Sequence, residues 1–149
     1  MHKIVLKIFI MVAGYTITPE SITDGLSRLN MPIQTKIEIY DATKLTSQNY
    51  TAFYYEQLKC NWEGISCVYI LPPVDGYKFG GHSLVGKRFS NAFYAGSAYD
   101  RVQLMIIISE YLKGLGCRGT GDKPSIVADN AYSLEYSLSD QCYKKLKKL

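Results

Sequence analysis

A chain of 149 residues has the length of one domain and can bury roughly 68–70% of its unfolded surface, enough for a real core. An apolar fraction of 47% beside 20% charged residues excludes disordered and collagen-like classes. The net charge is +4, yet Lys144, Lys145, Lys147 and Lys148 carry all of it, so residues 1–143 are neutral and give no case for a basic body. The lysine tail reads as a solvated, frayed terminus; the alternative, contact with an anionic membrane or nucleic acid, would weaken steeply with salt.

Taken in chain order, Met1-His2-Lys3 and the apolar run Ile4 to Ala13 have two readings. One is a weak signal sequence, although Lys7 interrupts the run and no small-x-small site follows. The other is a buried strand over 4–12. The run is too short to span a membrane. Thr18-Pro19-Glu20 then gives an N-cap, a proline at the first helical position and an acid in the first turn. Ile22, Leu26 and Leu29 follow at helical spacing until Asn30 and Pro32 stop the helix. Thr35 to Tyr40 alternates with Ile37 and Ile39 on one face, a half-buried strand.

Residues 41–49 are polar and loop-like, and Tyr50 to Leu58 is readable as helix or strand, with helix favoured. Cys60 to Cys67 is a short loop holding Trp62, a residue more often a plug over a disulfide than a ligand contact. It enters a strand, Val68 to Leu71, closed by Pro72-Pro73. Asp75-Gly76 and Gly80-Gly81 are turn signals, His82 to Gly86 is a candidate strand, and Phe89 to Ala95 alternates.

Ser97 and Asp100 form a capping-box pattern before a long core helix, Val102 to Leu115. Leu104, Ile106 and Ile107 widen its apolar surface, so it should be covered on most sides, and Gly114 or Gly116 can end it. Strand candidates at Ser125 to Ala128 and Tyr132 to Leu138 follow. The glycines 114, 116, 119 and 121 follow a helix rather than open one, so they do not make a phosphate loop.

Four cysteines, Cys60, Cys67, Cys117 and Cys142, lack zinc-knuckle spacing, and His2 and His82 are poorly placed to complete a metal site. Disulfides are the better reading, and no metal or cofactor is expected. Asn49-Tyr50-Thr51 is an N-glycosylation acceptor sequence, consistent with secretion. His82 beside Ser83 suggests a base and a nucleophile, but neighbours on a strand point to opposite faces and no acid is fixed beside them, so no catalytic residue is expected.

Several of these places occur in one order: Cys60 to Cys67, Tyr77 to Gly80, Asn91-Ala92-Phe93, Gly116-Cys117, Thr120-Gly121-Asp122-x-Pro124, Leu134-Glu135-Tyr136 and Cys142. Over 58–142 this arrangement resembles the killer-protein-four family of small secreted killer toxins, typified by a virally encoded toxin of a smut fungus. Asn91 and Thr120 stand where the family has cysteines, and the first fifty residues have no counterpart in it.

The resemblance implies an α+β fold, a two-layer α/β sandwich whose antiparallel sheet carries two or three helices on one face. Within the single domain over 1–149 that the length indicates, it implies 1–53 as an N-terminal extension or propiece and 54–145 as the toxin-like region. By analogy the bridges are Cys60 with Cys117 and Cys67 with Cys142. It also implies a secreted, non-catalytic protein that binds a cell-surface protein or membrane, in the type toxin by interfering with calcium entry. The family's exposed lysine has His82 as its nearest position here, with Lys78, Lys87 and Arg88 close by. These four are the expected target-binding residues; a solvated hairpin rim is the plainer reading of the same charges. From another class, a structural or assembly protein with a ferredoxin-like double split-βαβ layout fits the strand-helix-strand segments at both ends.

Overall fold

The computed structural model describes residues 2–44, 60, 64–72, 80–83, 89–93, 100–118, 126–127 and 136–149. The first strand, β1 (His2–Ile10), buries Ile4, Leu6, Ile8 and Ile10 and turns Lys3, Val5, Lys7 and Phe9 to the other face, the period of two that its sequence carries. It is an inner strand, paired with β2 (Ile33–Asp41) on one side and β3 (Ile65–Leu71) on the other.

Between β1 and β2 lies helix α1 (Pro19–Ser27). The Thr18 hydroxyl oxygen accepts a hydrogen bond from the Ser21 amide at 3.2 Å, and Pro19 occupies the first turn, where its missing N–H costs nothing. Asn30, at φ 49°, takes the left-handed conformation that turns the chain into β2. Strand β4 (Gly80–Ser83) takes in Gly80-Gly81, expected as a turn, and the first two residues of the expected His82 to Gly86, of which 84–86 lie outside the described residues; it pairs with β5 (Phe89–Phe93). Helix α2 (Asp100–Gly114) and helix α3 (Asp140–Lys147) complete the described elements.

The sheet order is β2-β1-β3-β5-β4, and β1/β2, β1/β3 and β3/β5 all run parallel; only β4 is antiparallel to its neighbour. The expected antiparallel sheet is therefore corrected. Alternation of apolar and polar residues reports which face a strand buries and is blind to the direction of its neighbour. Direction comes from the connection: α1 carries the chain back along the sheet, so β2 re-enters parallel to β1. Because β1 and β2 are direct neighbours, the unit is also not the split βαβ of a ferredoxin-like layout.

One face of the sheet meets the three helices. Ile4, Leu6 and Ile8 of β1, Val68 and Ile70 of β3, Ile22 and Leu26 of α1, Ile106, Ile107, Ile108 and Leu112 of α2 and Leu146 of α3 share this core. Each such side chain contributes about 1.5–3 kcal/mol by leaving water. Gly25 makes α1 and α2 close: a Cβ there would lie 2.7 Å from Ile108 Cδ1. Tyr111 of α2 is fully buried, and its hydroxyl shares a 2.8 Å hydrogen bond with the Thr35 hydroxyl of β2. Gly116, at φ 108°, ends α2 as the sequence suggests.

The tail is not frayed up to Lys147. Ser139 caps α3 by accepting from the Cys142 amide at 3.1 Å, and Cys142 and Leu146 turn inward while Lys144, Lys145, Lys147 and Lys148 stay in solvent. The strand expected at Tyr132 to Leu138 is not one where it is described: 136–138 run without strand pairing, and the Ile126 amide donates to the Ser137 carbonyl at 2.9 Å. Of the Ser125 to Ala128 candidate, Ile126 and Val127 form a buried bend. The expected segment at 50–58, Trp62 and the Ser97 cap lie outside the described residues.

All four cysteines are bridged, but as Cys60–Cys67 and Cys117–Cys142 rather than in the pairs the family analogy implies. The parity of β3 explains the correction. Cys67, Tyr69 and Leu71 project to the face opposite the helices, whereas Cys117 and Cys142 belong to the helix-side core. The sheet itself separates Cys67 from Cys142, so each bridge closes within its own layer.

Candidate interaction surface on the β1–β2 rim

On the face away from the helices the sheet changes character from strand to strand. At β3 it is closed: Cys67, Tyr69 and Leu71 are buried together with Met11, Ala42 and Cys60. At β1 and β2 it carries Lys7, Phe9, Lys36, Glu38 and Tyr40, half-buried or exposed. Parallel pairing puts Phe9 level with Tyr40 on one side and with Tyr69 on the other. Ring centroids are 5.2 Å apart for Phe9 and Tyr40 and 4.9 Å for Phe9 and Tyr69, so three stacked rings run from the closed interior to the open rim. Tyr69 is 1% exposed and Tyr40 40%.

The polar groups of this rim hold one another. The Tyr40 hydroxyl donates to Glu38 Oε1, Lys36 Nζ lies 3.7 Å from Glu38 Oε2, and Lys7 Nζ stands 5.9 Å from the Tyr40 ring centroid. The Tyr40 hydrogen bond, with Lys36 and Lys7 nearby, holds the Glu38 carboxyl below its ordinary range; the same bond raises the Tyr40 phenol. At the strand's end, Asp41 accepts from the amide and hydroxyl of Thr43, which lowers its carboxyl too.

The outer edge of β2 is free of strand pairing among the described residues. The Ala42 amide donates to the Ile10 carbonyl at 2.8 Å, so the even-numbered residues of this strand address β1. In a parallel ladder alternate residues address alternate sides, which turns the backbone N–H and C=O groups of Ile33, Thr35, Ile37, Ile39 and Asp41 outward. Beside this edge, Thr23, Leu26, Ser27, Asn30, Met31, Ile33 and Thr35 line a groove of about 290 Å³ between α1 and β2.

Of the residues expected to bind a target, His82 stands on β4 opposite Asn91 of β5. Lys78, Lys87 and Arg88 lie outside the described residues, as does the acceptor Asn49. Gln103, Ser109 and Glu110 are buried polar residues of α2, and Glu110 pairs with Lys113 at 3.3 Å. Among the described residues no three His, Cys, Asp or Glu side chains gather as metal ligands, and no helix is long and apolar enough to cross a membrane. The chain matches no family model and no curated protein sequence.

The rim was only half legible in the sequence. Ile37 and Ile39 mark β2 as half-buried, but nothing local says that β2 lies at an edge or that Phe9 stands between two tyrosines. Both follow from the sheet order.

Proposed function

We propose that the protein is an extracellular, disulfide-braced binding protein that engages a protein partner through the β1–β2 rim around Tyr40 and performs no catalytic step. The observation that carries this reading is the contrast along one sheet face: the ring stack is closed over at Tyr69 and open at Tyr40, where lysine, glutamate and phenol stand together. Tyrosine is enriched at interface hot spots because a rigid amphipathic ring gives large contact area and a polar tip at small entropic cost. Two disulfides fit an oxidising compartment.

The finer form of this reading is a killer toxin or effector that inhibits competing or host cells at a surface target such as a cation channel, with Lys78, His82, Lys87 and Arg88 as a second, cationic contact. Its support is the order of sequence motifs alone, since the parallel sheet and the local bridges depart from what the resemblance implies.

Labelled full-length oxidised protein, titrated onto intact fungal cells, tests both levels. Saturable binding that falls about tenfold or more in Tyr40→Ala, with thermal unfolding little changed, is the expected result. Binding indifferent to Tyr40→Ala overturns the rim as the contact, and binding without growth arrest removes the toxin form.

A further inference from the structure

We infer that the open edge of β2 pairs with β2 of a second copy of this chain, antiparallel, about a two-fold axis through Ile37. The strand runs Ile33–Asp41, and Ile37 is its central residue. An antiparallel pair alternates residues that exchange both backbone hydrogen bonds with residues that exchange none. With the axis at Ile37, the bonded positions are Ile37 with Ile37 of the second copy, Thr35 with its Ile39, and Ile33 with its Asp41. These are the residues whose backbone groups point outward, so the register uses every donor and acceptor that the edge presents.

The side chains select the same register. The intervening positions oppose Lys36 to Glu38 of the second copy, and Gln34 to its Tyr40. Lys36 and Glu38 already lie 3.7 Å apart within one strand, so the pairing closes four charges of alternating sign around the axis. Moving the axis by one residue places Lys36 against Lys36, or Glu38 against Glu38, and like charges directly opposite are unfavourable. On the helix side, half-buried Ile37 meets its own copy and half-buried Ile39 meets Thr35, beside the groove lined by Leu26, Met31 and Ile33. Charges on an edge strand normally repel indiscriminate pairing. Here their alternation excludes unlike edges and admits this one.

Such a dimer would join two sheets into one and carry two Tyr40 rims on the same face, giving the bivalency that raises avidity toward a surface with repeated targets. The association shares Lys36, Glu38 and Tyr40 with the rim, but sedimentation reads it without any rim partner present.

Sedimentation of the full oxidised chain over a concentration series gives the test. A concentration-dependent dimer is expected. Ile37→Pro removes an outward N–H without touching a β1 bond, so it should leave circular dichroism unchanged and the chain monomeric. Lys36→Glu should raise the dimer dissociation constant about tenfold or more, and adding Glu38→Lys to it should restore the dimer by reversing the charges. A chain that stays monomeric throughout, or a dimer equally tight in Lys36→Glu and in the restored double variant, overturns the proposal.

Discussion

Strands β3 and β2 lie on either side of β1, are both parallel to it and are rich in β-branched residues, yet they have opposite fates. In β3 every residue after Ile65 is buried, on both faces; in β2 only Ile33 is, and charged and aromatic side chains alternate with half-covered isoleucines. A strand flanked on both sides and packed on both faces contributes stability. A strand with one free edge and one polar face has groups left over for recognition. The comparison separates the residues that hold this molecule together from those that address a partner.

The sharpest way to break that separation is to place a charge in each strand. Ile70→Asp puts a carboxylate among fully buried residues, where no partner can compensate its desolvation; the chain should fail to fold, read as loss of a cooperative unfolding transition. Lys36→Glu on the exposed side of β2, compared at concentrations where both chains are monomeric, should leave stability within about 0.5 kcal/mol.

Next in size are the bridges. Replacing Cys117 and Cys142 by serine releases a loop with a sequence separation of 25 and should cost about 3.5 kcal/mol in the chain-entropy model; opening Cys60–Cys67, with a separation of 7, should cost about 2.4 kcal/mol. Denaturant titration of the two double variants checks the order. If the second is the costlier, the face around Tyr69 supports the fold more than its small cluster indicates.

The smallest effect is titration of the rim. Glu38 has a folded-state pKa below its unfolded value, so its contribution is present above the ordinary carboxylate range and is lost as pH falls through the lowered folded value. Because the group is still reached by solvent, the change in stability should be slight, and Tyr40→Phe, which removes the hydrogen bond, should move the Glu38 titration upward. Carboxyl chemical shifts followed by NMR against pH give the check; no movement in Tyr40→Phe would mean that the lysines alone set the Glu38 value.

Much of the architecture is written locally. The alternation of Ile4, Leu6, Ile8 and Ile10, the Thr18-Pro19-Glu20 start of α1, the apolar run of α2 and its end at Gly116 all depend on side chains within a few residues of one another, which is why a linear reading finds them. Helix α3 was legible too, through Ser139 as a cap and Cys142 and Leu146 one turn apart, but the four lysines masked it by their charge.

What only the tertiary structure decided is which way strands run and which surfaces meet. Parallel pairing, the placing of Cys67 and Cys142 on opposite sides of the sheet, the contact of Gly25 with Ile108, and the free edge of β2 join residues far apart in the chain. Periodicity states that a face will be buried and leaves open what buries it; that choice is made by the packing of whole elements, where the apolar area of every layer is satisfied at once.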